Sequence, residues 1–409
     1  MAREKVGLAL AGGGPLGAIY EIGALVALDE AIEGLELTEL DIYIGVSSGA
    51  FLSAGLANGV TPREMYEMFV ESQVADDPFE PEILLRPAIG EYGRRLASLP
   101  GLFLSAIRSY LEAPLSRGFF ESFQRLARAM PTGIFDSTRI GGYLRRLYDR
   151  RGLADDFRKL PCKLFLVATD LDTAVAVPFG APGWDDVPIS SAVQASAALP
   201  ALFPPVEIHG RHYVDGALIK TLHASVALKE GAKLLLCINP IVPFNAETAR
   251  KESAGEPISL VTGGLPTVLA QTFRSIVHSR LITGMSRYES EFPDADVVLF
   301  EPSHGDTELF FTNVFSYAER ERLSGHAYQT MRAQLLKRYD ELTPVFARHG
   351  LSLNRDVLAD PARTLSGWAN GTRQKYRSEL TLATTRLGRT LQRLETMLDR
   401  SQASQGGTG

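Results

Sequence analysis

Residues Gly45-Val46-Ser47-Ser48-Gly49 place a serine between two glycines, where an apolar run ends and a small-residue, helix-compatible stretch begins. A G-x-S-x-G turn joins a strand to a helix so tightly that flanking side chains would collide, which explains the two glycines. The turn lifts the Ser47 hydroxyl to a helix N-terminus, where backbone N–H groups and the helix dipole favour negative charge. We interpret Ser47 as a nucleophile that attacks a carbonyl carbon. The alternative is a serine that only caps a glycine-rich turn.

A second glycine-rich loop, Gly12-Gly13-Gly14-Pro15-Leu16-Gly17, follows the first apolar run of the chain. It matches the dinucleotide fingerprint G-x-G-x-x-G, but Glu36 and Glu39 precede the next predicted strand, whereas the fingerprint needs an acidic residue that ends it. Consecutive glycines also let backbone N–H groups converge on one point. We therefore expect the first three glycines of this loop to form an oxyanion hole, with nucleotide binding as the rival function.

Asp215 is the candidate base for the serine. It follows an apolar strand in Tyr213-Val214-Asp215-Gly216-Ala217. A carboxylate is a weak base in water, but it becomes competent when it is desolvated and hydrogen-bonded directly to a hydroxyl. An aspartate before glycine is also a common turn device, and the sequence leaves both interpretations open.

The seven histidines of the chain offer no clear third member of a triad. None lies late in the chain on a clear strand-end loop, as the order Ser, Asp, His of α/β-hydrolases requires. His304 follows a predicted strand and is the best triad candidate, whereas His209 and His212 flank a turn and are predicted to face solvent. No His, Cys or carboxylate cluster has metal-ligand spacing, so we expect neither a metal nor a cofactor.

The glycine loop at residues 12–17, the serine turn at 45–49 and the Asp215-Gly216 turn occur in the order seen in patatin-like phospholipases. The segment QASAALPALFPP at residues 194–205 resembles the stretch before the family's aspartate turn, and the whole resemblance covers residues 5–230. It implies a three-layer α/β/α fold and a lipase or phospholipase that cleaves acyl esters through an acyl-enzyme.

The same resemblance implies roles for individual residues. Ser47 would be the nucleophile and Asp215 the base of a dyad without histidine, and the amides around Gly13 and Gly14 would hold the oxyanion, with Gly12 in the same cradle. A transacylase or thioesterase on the same dyad remains an alternative.

Several positions depart from the family pattern. Leu16 stands where the glycine loop usually carries a basic residue, and Ala217 replaces the second glycine of the D-G-G turn. Lys220, Thr221 and His223 occupy the region where asparagines and a proline commonly follow. The two dyad residues are present, so these changes concern the substrate and the rate. They also keep open a catalytically silent lipid-binding or scaffold protein.

Short apolar runs alternate with helical patterns along the first three hundred residues, which predicts an α/β fold with a mostly parallel sheet. Strands are predicted at residues 6–11, 41–46, 163–169, 175–179, 233–239 and 296–300, a hairpin at 206–208 and 212–214, and helices at 18–32, 189–199 and about 265–288.

We divide the chain into a catalytic domain at residues 1–310 with a helical insertion at about 61–150, a helical C-terminal extension at 311–400 and a disordered tail at 401–409. The insertion would supply either an apolar channel for an acyl chain or ordinary helical core. The last helical pattern, 370–400, has leucines among arginines. It predicts a helix that packs on the body or on a second copy, or one that rests on an anionic membrane.

The bulk properties narrow the class of protein. With 45% hydrophobic and 22% charged residues the chain can bury a substantial core, and its net charge of -6 argues against broad nucleic-acid binding. Cys162 and Cys237 lie in apolar runs and are predicted to be buried strand thiols. No stretch approaches the roughly 18 apolar residues of a membrane span, and the N-terminal apolar run is too short for a secretory signal. We expect a cytoplasmic protein with a lipid or acyl-ester substrate, leaving open contact with the inner face of a membrane.

Overall fold

A mostly parallel sheet lies at the centre of the molecule, in a computed structural model that describes residues 4–71, 132–252, 259–312 and 317–365. The strands are β1 Val6–Leu10, β2 Ile32–Glu33, β3 Ile42–Val46, β4 Lys163–Asp170, β5 Val175–Phe179, β6 Val206–Ile208, β7 Arg211–Asp215, β8 Leu234–Ile238, β9 Asp296–Phe300 and β10 Ser352–Leu353. The helices are α1 Gly14–Ala31, α2 Ser48–Ala57, α3 Pro62–Phe69, α4 Thr138–Arg151, α5 Ile189–Ser196, α6 Ser225–Lys229, α7 Ala246–Glu252, α8 Gly264–Glu291, α9 Thr307–Phe311, α10 Tyr317–Lys337, α11 Tyr339–Arg348 and α12 Arg355–Ala359.

Five strands run parallel in the order β4-β3-β1-β8-β9. Strands β5 and β7 pair with β4 in the antiparallel sense, and β6 forms a hairpin with β7. Because β1, β3 and β8 are buried along their whole length, their sequences are continuous apolar runs. This is the α/β fold that the sequence predicts.

Helices cover both faces of the sheet and give three layers. Along β1, Leu8 and Leu10 point into the core shared with α1, α2 and α10, whereas Ala9 and Ala11 point into the core shared with α6 and α8. Helix α10 packs closely on α1, since a Cβ at Gly23 would lie 2.1 Å from the carbonyl oxygen of Ser324. The carboxyl ends of the parallel strands therefore lie together along one end of the sheet, called here the Ser47 edge, where α/β enzymes place their ligands.

Two local features differ from the sequence predictions. Strands β2 and β10 form a separate two-stranded sheet that the sequence did not suggest, because two-residue strands show no period. Cys237 is buried in β8 as predicted, but the prediction for Cys162 is wrong. Cys162 precedes β4 and is half-buried, because pairing with the preceding strand begins at the Lys163 amide, which binds the carbonyl of Asp41.

Several predictions lie outside the described residues. They concern residues 72–131 of the insertion, with its apolar channel, the leucine-rich segment at 370–400 and the tail at 401–409. The two ends of the insertion are described, and both α3 and α4 are helical as expected. The domain boundary at residue 310 stays a prediction. Within the described ranges, no helix combines the length and apolar character needed to cross a membrane.

Candidate active site

The serine turn has the strained geometry that the sequence predicts. Strand β3 ends at Val46, α2 begins at Ser48, and Ser47 between them has φ 54° and ψ -120°. Such a conformation costs a residue other than glycine about 1–3 kcal/mol, which the surrounding packing must supply. A Cβ at Gly45 would lie 2.5 Å from the Ala50 Cα, and one at Gly49 would lie 2.4 Å from the Ala11 carbonyl oxygen. Both glycines are therefore required by close backbone approach.

Strand register explains why Asp215 lies beside this serine. Residues Leu166 to Asp170 of β4 pair with β5 along one edge, so β3 and β7 must share the other edge. On that edge Val46 is opposite Val167, and Asp215 is opposite the next residue, Ala168. Because β3 is parallel to β4 and β7 is antiparallel to it, the two strands meet end to end. The last residue of β7 and the residue after β3 are thereby brought together, so the Ser47 side chain lies close enough to the Asp215 carboxyl to lower its pKa.

The C-terminal end of α5 and the residues just after it hold both residues of this pair in place. The Ser196 hydroxyl accepts a hydrogen bond from the Ser47 amide at 2.9 Å and donates one to the Val167 carbonyl at 2.6 Å. Two residues later, the Ala198 carbonyl accepts the Asp215 amide at 3.0 Å. In the sequence this segment indicates only a family resemblance, because nothing in its local pattern shows which groups it hydrogen-bonds.

Burial sets the protonation behaviour of Asp215. The side chain is buried, and desolvation raises its pKa from 3.8 to about 6, although hydrogen bonds from the Ala217 amide and the Ser47 side chain act in the opposite direction. The Ala217 amide lies 2.9 Å from Oδ1, which fixes the carboxylate plane. The backbone oxygen of Asp215 accepts the Thr169 hydroxyl at 3.1 Å. A carboxylate with this pKa is ionised at neutral pH and is a stronger base than an exposed aspartate.

The structure shows no histidine bonded to Ser47 or Asp215 among the described residues. His304 Nδ1 lies 3.0 Å from the Pro243 carbonyl, and its ring stacks edge-on against His278, so the best triad candidate sits at the ends of β8 and β9. His223 is buried, and burial lowers its pKa to about 4, so it stays neutral at pH 7 while Nε2 donates to the Gly216 carbonyl. His209 and His212 are exposed, as predicted.

The glycine loop lies against the serine. A Cβ at Gly12 would sit 2.9 Å from the Cβ and 3.5 Å from the Oγ of Ser47, so the backbone approaches the hydroxyl closely. Gly13 is the N-cap of α1, which begins at Gly14, so the loop ends at a helix N-terminus. Pro240, after β8, packs on this loop 3.0 Å from where a Cβ of Gly13 would lie. Across the described part of the chain, no group of three or more His, Cys, Asp or Glu residues is arranged to hold a metal ion.

Ser196→Ala should lower kcat/KM for a soluble ester about tenfold to a hundredfold, with little change in KM. The substitution leaves the buried Ser47 amide without its acceptor, and an unsatisfied buried donor costs about 1–3 kcal/mol. The control is Ser53→Ala. Ser53 is equally buried and donates to a strand carbonyl, that of Ile44, but makes no recorded hydrogen bond to Ser47. Equal losses of activity in the two variants would contradict a specific role for Ser196.

A comparison with known protein families shows which family this chain belongs to. The sequence model of one family, described as patatin-like phospholipase, matches residues 8–228, which is more than half of the chain. The chain belongs to the patatin-like phospholipase family. The match spans the glycine loop, the serine turn and Asp215, so it confirms the resemblance drawn from those motifs. Membership in this family supports a lipid hydrolase.

Three solved structures resemble the chain distantly. VipD from Legionella pneumophila is 15% identical, with a TM-score of 0.32, and the match covers 83% of this chain and 77% of VipD. The type III effector ExoU is 16% identical with a TM-score of 0.37, and the match covers 100% of this chain and 66% of ExoU. The matched chain in a complex of SpcU with ExoU from Pseudomonas aeruginosa is 16% identical with a TM-score of 0.24, and the match covers 88% of this chain and 69% of that chain. These low scores carry no argument about function.

Proposed function

We propose that the protein is a serine acyl hydrolase that cleaves fatty acyl esters through a Ser47–Asp215 dyad and an acyl-enzyme intermediate. The observation that supports this most directly is the end-to-end meeting of β3 and β7, which sets a strained serine against a buried carboxylate. The raised pKa of Asp215 strengthens it as a base without a histidine intermediary.

In the first half of the reaction, Asp215 accepts the proton of the Ser47 hydroxyl while Oγ attacks the ester carbonyl carbon. The amides of the glycine loop, Gly12, Gly13 and Gly14, stabilise the negative oxygen of the tetrahedral intermediate. The carbon–oxygen bond to the alcohol then breaks, and the alcohol leaves with the proton from Asp215. The product of this half is an ester between the acyl group and Ser47.

In the second half, water attacks the acyl-enzyme as Asp215 takes its proton. The tetrahedral intermediate collapses, the fatty acid leaves, and the proton returns to Ser47. Leu16 provides no positive charge at the loop, so stabilisation of the oxyanion depends on backbone amides and the α1 dipole. We therefore expect the geometry of the loop, more than any side chain on it, to set the rate.

The experiment is intact-mass analysis after treatment with a lipid-like fluorophosphonate, followed by mapping of the modified residue. We expect one adduct per chain, on Ser47. The matched control is Ser48→Ala, because Ser48 is the neighbouring serine and its Oγ is buried without a hydrogen-bond partner in the described structure. That variant should label like the wild type. The absence of an adduct would reject the assignment and favour a silent lipid-binding protein, whereas an adduct on another residue would show that a different side chain is the nucleophile.

A further inference from the structure

Several large apolar side chains that are exposed in the described residues lie at the end of the sheet that carries Ser47. Leu171 and Val175 flank the turn after β4, and Phe311 ends α9, which follows β9. Leu202 follows α5, whose C-terminal Ser196 binds the serine turn, and the adjacent residue, Ala201, pairs with Ile134. Exposed apolar surface of this extent marks a place of interaction.

Helix α8 extends this apolar edge furthest. It connects the parallel strands β8 and β9 and therefore runs antiparallel to them, with its N-terminus at the Ser47 edge. Its buried residues, Val277, Leu281 and Tyr288, begin only at the middle of the helix. His278 Nε2 lies 3.3 Å from Glu301 Oε1, just beyond the end of β9, and so marks the level of the sheet edge. Gln271 hydrogen-bonds both backbone groups of Phe244, and at about 1.5 Å per residue the part of α8 before it extends about 10 Å beyond that contact.

The part of the chain beyond that contact, residues 259–270, is named here the α8 tip. It contains no Asp, Glu, Lys or Arg. Val261, Leu265 and Leu269 are 75%, 69% and 58% exposed, and their spacing of four residues places Leu265 and Leu269 on one helix face. The first charged side chain after the tip, Arg274, lies 4.2 Å from the centre of the Phe310 ring. An uncharged apolar projection can leave water without the cost of desolvating a charge.

We propose that the α8 tip inserts into the surface of a phospholipid bilayer and holds the Ser47 edge against it. Lipid is the occupant that this composition favours, because a protein partner would be matched by a polar rim, and the tip has no charged residue with which to form one. Interfacial segments enter the headgroup and acyl boundary by about 5–10 Å, a depth that the projection allows while the sheet stays outside. The benefit for catalysis rests on the proposed hydrolase function, but insertion itself does not.

Since the tip is uncharged, binding should need no anionic lipid and should resist salt. The first experiment is flotation of the full chain with phosphatidylcholine vesicles at low and high ionic strength. We expect Leu265→Glu/Leu269→Glu to weaken vesicle binding at least tenfold and to lower hydrolysis of vesicle lipid relative to that of a soluble ester.

The matched control is Ile282→Glu. Ile282 is 49% exposed on the same helix, but it lies about 20 Å from Leu269, beside the sheet instead of beyond it. Its variant should bind vesicles within twofold of the wild type. Equal loss in both variants, or binding that requires anionic lipid and disappears in salt, would overturn the proposal.

A second readout is Leu269→Cys carrying a polarity-sensitive dye, in a Cys162→Ala background because Cys162 is the half-buried thiol. Adding vesicles should shift the emission to the blue, and lipid-borne quenchers should quench it. A dye that is already blue-shifted without lipid, and unchanged by it, would mean that the tip is covered by residues 72–131 or by a second copy. Labelling of Ser47 by a soluble fluorophosphonate tests the hydrolase function without lipid. Failure of the hydrolase function can therefore be distinguished from failure of membrane insertion.

Discussion

Ser47→Ala should abolish hydrolysis of a short p-nitrophenyl ester, with a loss on the order of 10⁴–10⁶-fold in kcat. The substitution removes the oxygen that the proposed mechanism uses to form the acyl-enzyme, whereas the backbone of the turn is fixed by Gly45, Gly49 and the Ser196 hydroxyl. The fold should therefore remain, which circular dichroism and thermal unfolding can verify alongside initial rates.

A short soluble ester is the right substrate for this measurement because it does not depend on vesicle binding. Ser53→Ala serves as the control, since it also removes a buried hydroxyl of α2 and should keep activity within a few-fold of the wild type. Activity that persists in the Ser47 variant would show that another residue forms the covalent intermediate.

Asp215→Asn should lower kcat/KM by about 10³–10⁴-fold and at the same time stabilise the fold. Burial raises the pKa of Asp215 from 3.8 to about 6, so the folded state binds the proton more tightly than the unfolded chain. Protonation of this group therefore makes the folded state more stable as the pH falls toward 4, and above pH 6 the buried charge destabilises the folded state fully. At about 1.36 kcal/mol per unit, that cost is on the order of 3 kcal/mol at pH 7.

Asparagine keeps an oxygen that can accept the Ala217 amide and carries no charge. Urea unfolding should thus show the variant more stable by about 2–3 kcal/mol at pH 7, and the difference should shrink toward zero near pH 4. A gain of stability with a loss of activity is the sign of a strained functional group.

Asp170→Asn provides the comparison. Asp170 ends β4 and is also buried, which raises its pKa, but hydrogen bonds from Arg211 and from the Thr173 and Asp172 amides outweigh burial and hold it below its ordinary value. Its substitution should destabilise the fold at pH 7, the opposite sign to Asp215. If Asp215→Asn is no more stable than the wild type at pH 7, the charge of the buried Asp215 carboxylate does not destabilise the fold as we expect.

Local spacing in the sequence was enough to predict the serine turn, the glycine loop and the aspartate turn. Each depends on residues only a few positions apart, where a missing Cβ or an N-terminal amide decides the geometry. The parallel sheet followed from continuous apolar runs such as β1 and β8. The positions of His209 and His212 also followed, because a turn between short strands leaves its flanks in solvent.

What the sequence could not supply depends on pairing between distant residues. That β3 and β7 share one edge of β4, and meet there, follows from register, which no local pattern encodes. The clamp by Ser196 and Ala198 is a consequence of that meeting. For α8, the helical period predicted the helix but could not reveal that its first seven residues, 264–270, stay largely exposed.

The pH dependence of fluorophosphonate labelling at Ser47 tests the central claim most directly, because it reports the base that activates this one hydroxyl. We predict that the second-order rate constant for labelling rises with pH through a midpoint near 6 and is constant above it. In Asp215→Asn, labelling should be much slower and should show no such midpoint. His223, with its pKa lowered to about 4 by burial, cannot produce this midpoint. A titration near pH 6 that survives in Asp215→Asn, or labelling that is as fast in that variant as in the wild type, would contradict the account.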